Sequence, residues 1–176
     1  MPQRANRFWT IFLATILADV ASKRFAVSQL SPPYLPHDII DDVLRLTLAF
    51  NPEGAMSFSL GASSRWWFVL LSLGTLFVLA FMYRQTPRED RVQIASIALI
   101  CGGAVGNLLD RLRSARGVVD FIDIGIGTHR FWTFNLADLA VTLGTAMLTW
   151  ILCVRVAKEE RRTPALAPSR AVDEPS

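Results

Sequence analysis

The sequence predicts an all-α membrane fold: four transmembrane helices with a small β cradle outside the bilayer. Three observations carry this. Hydrophobic residues make up 52% of the 176-residue chain and charged ones only 19%, a balance too apolar for an ordinary soluble domain. The apolar residues fall in four blocks, each close to the ~20 residues needed to cross a hydrocarbon core. Between the blocks lie two segments whose alternation has period two.

The first block runs from Phe8 to Val27 and follows Arg4 and Arg7. A cleavable signal peptide would begin similarly, but the segment after the run, ADVASKRF, offers no clean small-x-small site. A retained helix is expected. Residues 28–65 link it to the second block. They open with the turn-like, proline-rich SQLSPPYLPHD. In VLRLTLAF, Leu44, Leu46, Leu48 and Phe50 alternate as in a half-buried strand. NPEGAMSFSLG follows, with Gly54 and Gly61 permitting tight backbone.

The second block spans Trp66–Tyr83 and the third Val92–Leu109, with the turn RQTPREDR between them. The second outer loop, residues 110–133, contains the strand candidate VVDFIDIGI. The fourth block runs Phe134–Ala157. Residues 1–162 are expected to form one membrane domain, and the Pro/Ala/Ser-rich segment 163–176 a disordered tail.

Ten of the eighteen basic residues fall on the side of the termini and the 84–91 turn, while nine of the fifteen acids fall on the other. The positive-inside rule therefore places both termini in the cytoplasm. The net charge of +3 is unclustered, which argues against a nucleic-acid partner. Cys101 and Cys153 lie in apolar blocks and suggest no disulfide framework. With only His37 and His129 besides, no zinc site is expected, and no metal or cofactor is called for.

Two aspartates stand out, Asp120 and Asp138, each in or beside an apolar stretch and each near an asparagine. A charge at membrane depth costs roughly 2.5–3.5 kcal/mol even on mild insertion scales. Asn135 and Asp138, three apart at the start of the fourth block, share a helix face where the dipole stabilises negative charge. The apolar setting of Asp120 should raise its pKa. Environments that separate two nearby carboxyls are those that separate an acid from a base. Three readings stay open on the residues alone. They are a catalytic carboxylate pair, a helix-terminal anion beside a surface loop acid, and a small transporter or proton-relay protein.

Asp123, followed by IGIG, reads as a solvated loop acid. Asp110 and Arg111 read equally as a helix-end ion pair or as an arginine orienting a neighbour. Asp19 and Lys23 are spaced for a helical ion pair. Near the interface it would be partly solvated and worth on the order of 1 kcal/mol. Gly102, Gly103, Ala104 and Gly106 suit close helix contact, or room for a bound peptide backbone.

Taken in order, the motifs D-x-x-S-K (Asp19–Lys23), N-x-x-G-A (from Asn51), G-N-x-x-D-R (Gly106–Arg111), V-V-D-F around Asp120 and F-N-x-A-D ending at Asp138 resemble the lipoprotein signal peptidase (signal peptidase II) family. The resemblance covers about residues 8–157. It implies a multi-pass aspartic endopeptidase of the bacterial inner membrane, with termini cytoplasmic, the β cradle periplasmic and the active site near the periplasmic face. Its substrates would be prolipoproteins, cut before a diacylglyceryl-modified cysteine, and membrane lipid and globomycin-type inhibitors would be its other partners. Carried over by motif, Asp120 and Asp138 are the catalytic dyad. Asn51, Gly103, Asn107, Arg111 and Asn135 contact substrate or inhibitor, and Asp19 and Lys23 support the site. The chain departs from the pattern by one extra residue after Asn51 and one in the 110–120 loop.

Overall fold

The structure, a computed structural model, describes residues 2–52 and 64–162. Four helices are found among them: α1 (Pro2–Gln29), α2 (Ser64–Gln85), α3 (Arg91–Arg113) and α4 (Leu136–Arg162). Four strands, β1 (Pro36–Ile40), β2 (Leu44–Asn51), β3 (Val118–Ile126) and β4 (His129–Arg130), form one antiparallel sheet in chain order. The expected disordered tail lies outside the described residues, as does most of the segment after Asn51.

Helix α3 is the hub. It packs against each of the other three helices, and its sequence explains why. Apolar and small residues surround it, so Ile94, Ile97, Ala98, Cys101, Gly102, Gly103 and Gly106 are all buried. By contrast α2 and α4 turn Leu70, Leu71, Phe77, Phe81, Leu143 and Trp150 outward. Faces so apolar and so exposed suit a lipid solvent rather than water.

Three helices, α2, α3 and α4, are long and apolar enough to cross a membrane. Helix α1 is long enough but not among them, because Arg4, Arg7, Asp19, Lys23 and Arg24 dilute its apolar run. The expected fourth span thus has its helix but lacks the composition of a simple one.

The two ends of the bundle are pinned differently. At one end Arg4 stacks over the Tyr83 ring and donates to its carbonyl. Nearby Asp90 caps α3, accepting from the Gln93 amide at 3.0 Å, and pairs with Arg155 of α4. The other end carries the sheet. Ala26 of α1, Leu30 just after that helix, Leu48 of β2 and Phe121 of β3 form a buried cluster on which Leu136 packs. The sheet is thereby fixed across the ends of α1 and α4.

Strand β1 starts inside the segment expected to be all turn. Pro36 is tolerated because it is the first residue of an edge strand.

Close packing of α3 on α4 depends on Gly103. A methyl group added there would meet the Ala137 carbonyl oxygen and Val141 of α4. Backbone cannot yield as a flexible side chain can, so Gly103→Ala should destabilise the protein by about 1–3 kcal/mol. Thermal unfolding in detergent should show a lowered midpoint; an unchanged one would mean α3 and α4 are not in this contact.

Candidate active site

The chain enters α4 through Phe134–Asn135, and the first turn closes as a reciprocal cap. The Asn135 side-chain oxygen accepts from the Asp138 amide at 3.0 Å, and the Asp138 carboxylate accepts from the Asn135 amide at 3.1 Å. This is the capping-box arrangement, built here from Asn and Asp. It fixes the Asp138 rotamer using the backbone itself.

The segment before the cap is held by β3. Phe134 pairs with Ile122 in both directions, at 2.8 and 3.0 Å. That register brings Asp120 beside Asn135, whose amide nitrogen donates to the Asp120 carboxylate at 2.7 Å. On the other flank, β2 pairs with β3 so that Asn51 lies opposite Val118 and Ala49 opposite Asp120. Asn51 therefore reaches the second Asp120 oxygen at 3.3 Å. Asn135, fully buried, touches both carboxylates at once.

Helix α3 adds the third side. Asn107 donates to Asp138 at 2.8 Å and accepts from Asn135 at 3.1 Å and from Lys23 at 2.8 Å. Lys23 in turn pairs with Asp19 at 2.8 Å and Asp110 at 2.9 Å. Arg111 is buried, lies beneath the Phe68 ring, and is within electrostatic reach of Asp138, Asp120 and Asp110. Arg65 of α2 donates to the last carbonyls of α3, those of Arg111 and Leu112.

Burial, followed by the neighbouring charge of Asp138, pushes the Asp120 carboxyl up to about 7 against the hydrogen bonds from Asn135 and Asn51. A carboxyl that keeps its proton near neutrality, close to a second carboxyl that accepts hydrogen bonds only, can serve as acid beside a base.

Seven of the nine sequence-selected residues thus join one connected network: Asp19, Lys23, Asn51, Asn107, Asp120, Asn135 and Asp138. Arg111 borders it. Gly103 does not, because it faces α4 in the helix contact described above rather than an open cleft.

Two expectations are corrected. Asp123 is not a solvated loop acid: it is buried, pairs with Arg130 at 2.8 Å and accepts from Thr47 at 3.1 Å. The tight β3–β4 connection folds Arg130 back onto it. Asp110, left open between two readings, pairs with Lys23 at 2.9 Å. The Asp19–Lys23 pair is not partly solvated, since Asp19 is fully buried and Lys23 is 4% exposed. The other Asp19 oxygen accepts the Ala137 amide at 3.0 Å, so this acid caps α4 from across the bundle. Gly106 makes room for it, as a methyl there would lie 2.5 Å from the Asp19 carboxylate. Sequence reading also missed Arg65, for which only its position at the start of α2 gave a signal.

Fold and site together define a helical membrane protein with a paired-carboxylate centre at one end of its bundle. Comparison with known proteins narrows this. A profile of the family described as signal peptidase (SPase) II matches residues 11–154. The lipoprotein signal peptidase of Xanthomonas campestris pv. campestris is 36% identical over 150 residues, 82% of this chain and 89% of that protein. That of Xylella fastidiosa is 34% identical over 159 residues, 89% and 93% of the two chains. A solved bacterial membrane enzyme superposes with a TM-score of 0.73 over 86% of this chain and 90% of that one, at 23% identity, which shows a shared fold. The chain belongs to the signal peptidase II family, a family of peptidases.

Two consequences can be measured. The unfolded Asp120 carboxyl ionises near 3.8, whereas in the fold it holds its proton to about 7. Its contribution is therefore fully present below pH 3.8 and is lost as pH rises through about 7. The thermal midpoint of the protein should fall between about pH 4 and 7, and Asp120→Asn should flatten that slope. A wild-type slope unchanged in the variant would place the titrating group elsewhere.

Asp19→Ala leaves the Ala137 amide without its acceptor and removes half of a buried pair, although Asp110 still faces Lys23. A loss of about 3 kcal/mol is expected, well above the cost for a solvated pair. Unfolding at fixed pH checks this; a shift no larger than for a surface acid would contradict the buried geometry.

Proposed function

We propose that this chain removes signal peptides from prolipoproteins by aspartic proteolysis, cutting before the diacylglyceryl-modified cysteine, with Asp120 and Asp138 as the dyad. The observation that carries the reading is the joint hydrogen bonding of both carboxylates by Asn135. Family membership favours a peptidase over the transporter alternative, and the relatives bear the name lipoprotein signal peptidase.

The chemistry follows from the two environments. Asp138 accepts from the Asn107 side chain and the Asn135 amide, which suits the carboxylate that takes a proton from water. The resulting oxygen nucleophile attacks the scissile carbonyl carbon as the carbonyl oxygen receives the Asp120 proton. The tetrahedral diol then collapses. Asp138 returns its proton to the departing amine nitrogen, the C–N bond breaks, and a diol hydroxyl restores the proton of Asp120. Asn51 and Asn135 hold Asp120 in place. Asn107 holds Asp138, and Arg111 supplies positive charge beside the dyad.

The membrane placement belongs to the same proposal. Helix α1 would be the fourth span, with Asp19 and Lys23 neutralised within the bundle. The termini and the turn between α2 and α3 would face the cytoplasm of a bacterial inner membrane, with the sheet a periplasmic cradle. Support comes from the Lys/Arg distribution and from the sheet and dyad sharing one end of the bundle. Globomycin-type inhibitors would bind at the dyad.

Asp120→Asn and Asp138→Asn should each lower processing of a diacylglyceryl-modified prolipoprotein by at least roughly a hundredfold to ten-thousandfold. The mobility shift of the substrate on a gel reports it, at protein levels matched to wild type. Full processing by either variant would remove that residue from the dyad.

A further inference from the structure

A groove of about 270 Å³ lies between α1 and the end of α3, on the sheet side of the bundle. Lys23, Arg24, Asp110 and Arg113 give it its charge, and Val20, Val27 and Val119 its apolar walls. The charges are unbalanced. Lys23 is consumed by Asp19 and Asp110. Arg24 and Arg113 are exposed and have no carboxylate or other partner among the described residues.

Two unpartnered guanidinium groups flanking one groove form a fork suited to phosphate oxygens. Their position makes the arrangement more telling. Under the proposed membrane placement they lie at the outer end of their helices, where the positive-inside bias keeps cations scarce. Along α1, Leu13, Leu17, Val20 and Arg24 recur at i, i+4, i+7 and i+11, so they stack on one face. Leu13 is 50% and Leu17 67% exposed. The face is therefore an open apolar stripe ending in a cation, the profile of a phospholipid with its chains alongside.

We infer that this groove seats the phosphate of an anionic phospholipid on Arg24 and Arg113, with acyl chains lying along Leu13 and Leu17. The site is distinct from the dyad, although Lys23 and Asn107 connect the two. The inference rests on the membrane placement proposed above, not on the proteolytic chemistry.

Native mass spectrometry of the full-length protein, released from nanodiscs of phosphatidylglycerol or of phosphatidylcholine, tests it. Wild type should retain phosphatidylglycerol adducts and few phosphatidylcholine ones. Arg24→Gln/Arg113→Gln should weaken retention about thirtyfold, as expected when two interfacial cations are removed. Arg24→Lys/Arg113→Lys, which keeps the charge, should restore part of it and guards against a folding defect. Equal retention by the Gln variant, or equal retention of the two lipids by wild type, would overturn the site. Displacement of the lipid by millimolar inorganic phosphate would overturn a lipid source and leave a free-anion site. Prolipoprotein processing, measured in parallel in detergent, should be unchanged in both variants. Adducts without processing in wild type would count against the proteolytic reading alone.

Discussion

Asn135 has to satisfy a helix terminus and two acids with a single side chain. Its oxygen closes the first turn of α4 on the Asp138 amide, and its nitrogen is shared among Asp120, Asn107 and the Val119 carbonyl. A buried amide with no solvent to fall back on needs every one of these groups in place. The register of β3, the depth of α3 and the entry angle of α4 are therefore fixed relative to one another. Asp138 does not merely lie near Asp120. It is locked to the backbone that Asp120 also grips.

The same logic explains how charges are tolerated inside an apolar bundle. Lys23 lies between Asp19 and Asp110 and also donates to Asn107. Asp19 spends its remaining oxygen on the Ala137 amide, one of the donors that a helix start leaves unsatisfied. Lys23 thus meets two opposite charges, and Asp19 meets both an opposite charge and a helix start. Of the charges that make α1 a poor span on composition, Asp19 and Lys23 are the ones that couple it to α3 and α4. The glycines of α3 permit this, since larger residues at Gly103 or Gly106 would push α4 or Asp19 away.

Much of this was legible in the sequence. VVDFIDIGI became β3 residue for residue, and the alternation around Leu44–Phe50 became β2. The helices matched the apolar blocks, with α1 extending beyond its block at both ends. Asn135 and Asp138 were visible as a pair at spacing three, but not as a cap, because that depends on the helix starting at Leu136. The burial of Asp19 was hidden for a different reason. Its acceptor role involves a backbone amide 118 residues away, and no local pattern encodes that. Asp123 misled because its neighbours suggest an exposed turn, while its partners Thr47 and Arg130 come from another strand and from the far side of the hairpin. Local periodicity gave the elements, whereas the polar network is made of contacts between them.

The acid–base chemistry turns on a proton that Asp120 keeps up to about pH 7 within this network. Isotope-edited infrared spectroscopy of the aspartate carboxyl stretches, on the purified protein in lipid, observes that proton directly. One aspartate carboxyl should remain protonated at pH 6 and titrate at about 7, and its band should vanish in Asp120→Asn. If every aspartate is already ionised by about pH 5, as for carboxyls in water, the pair shares no proton and the acid–base assignment fails.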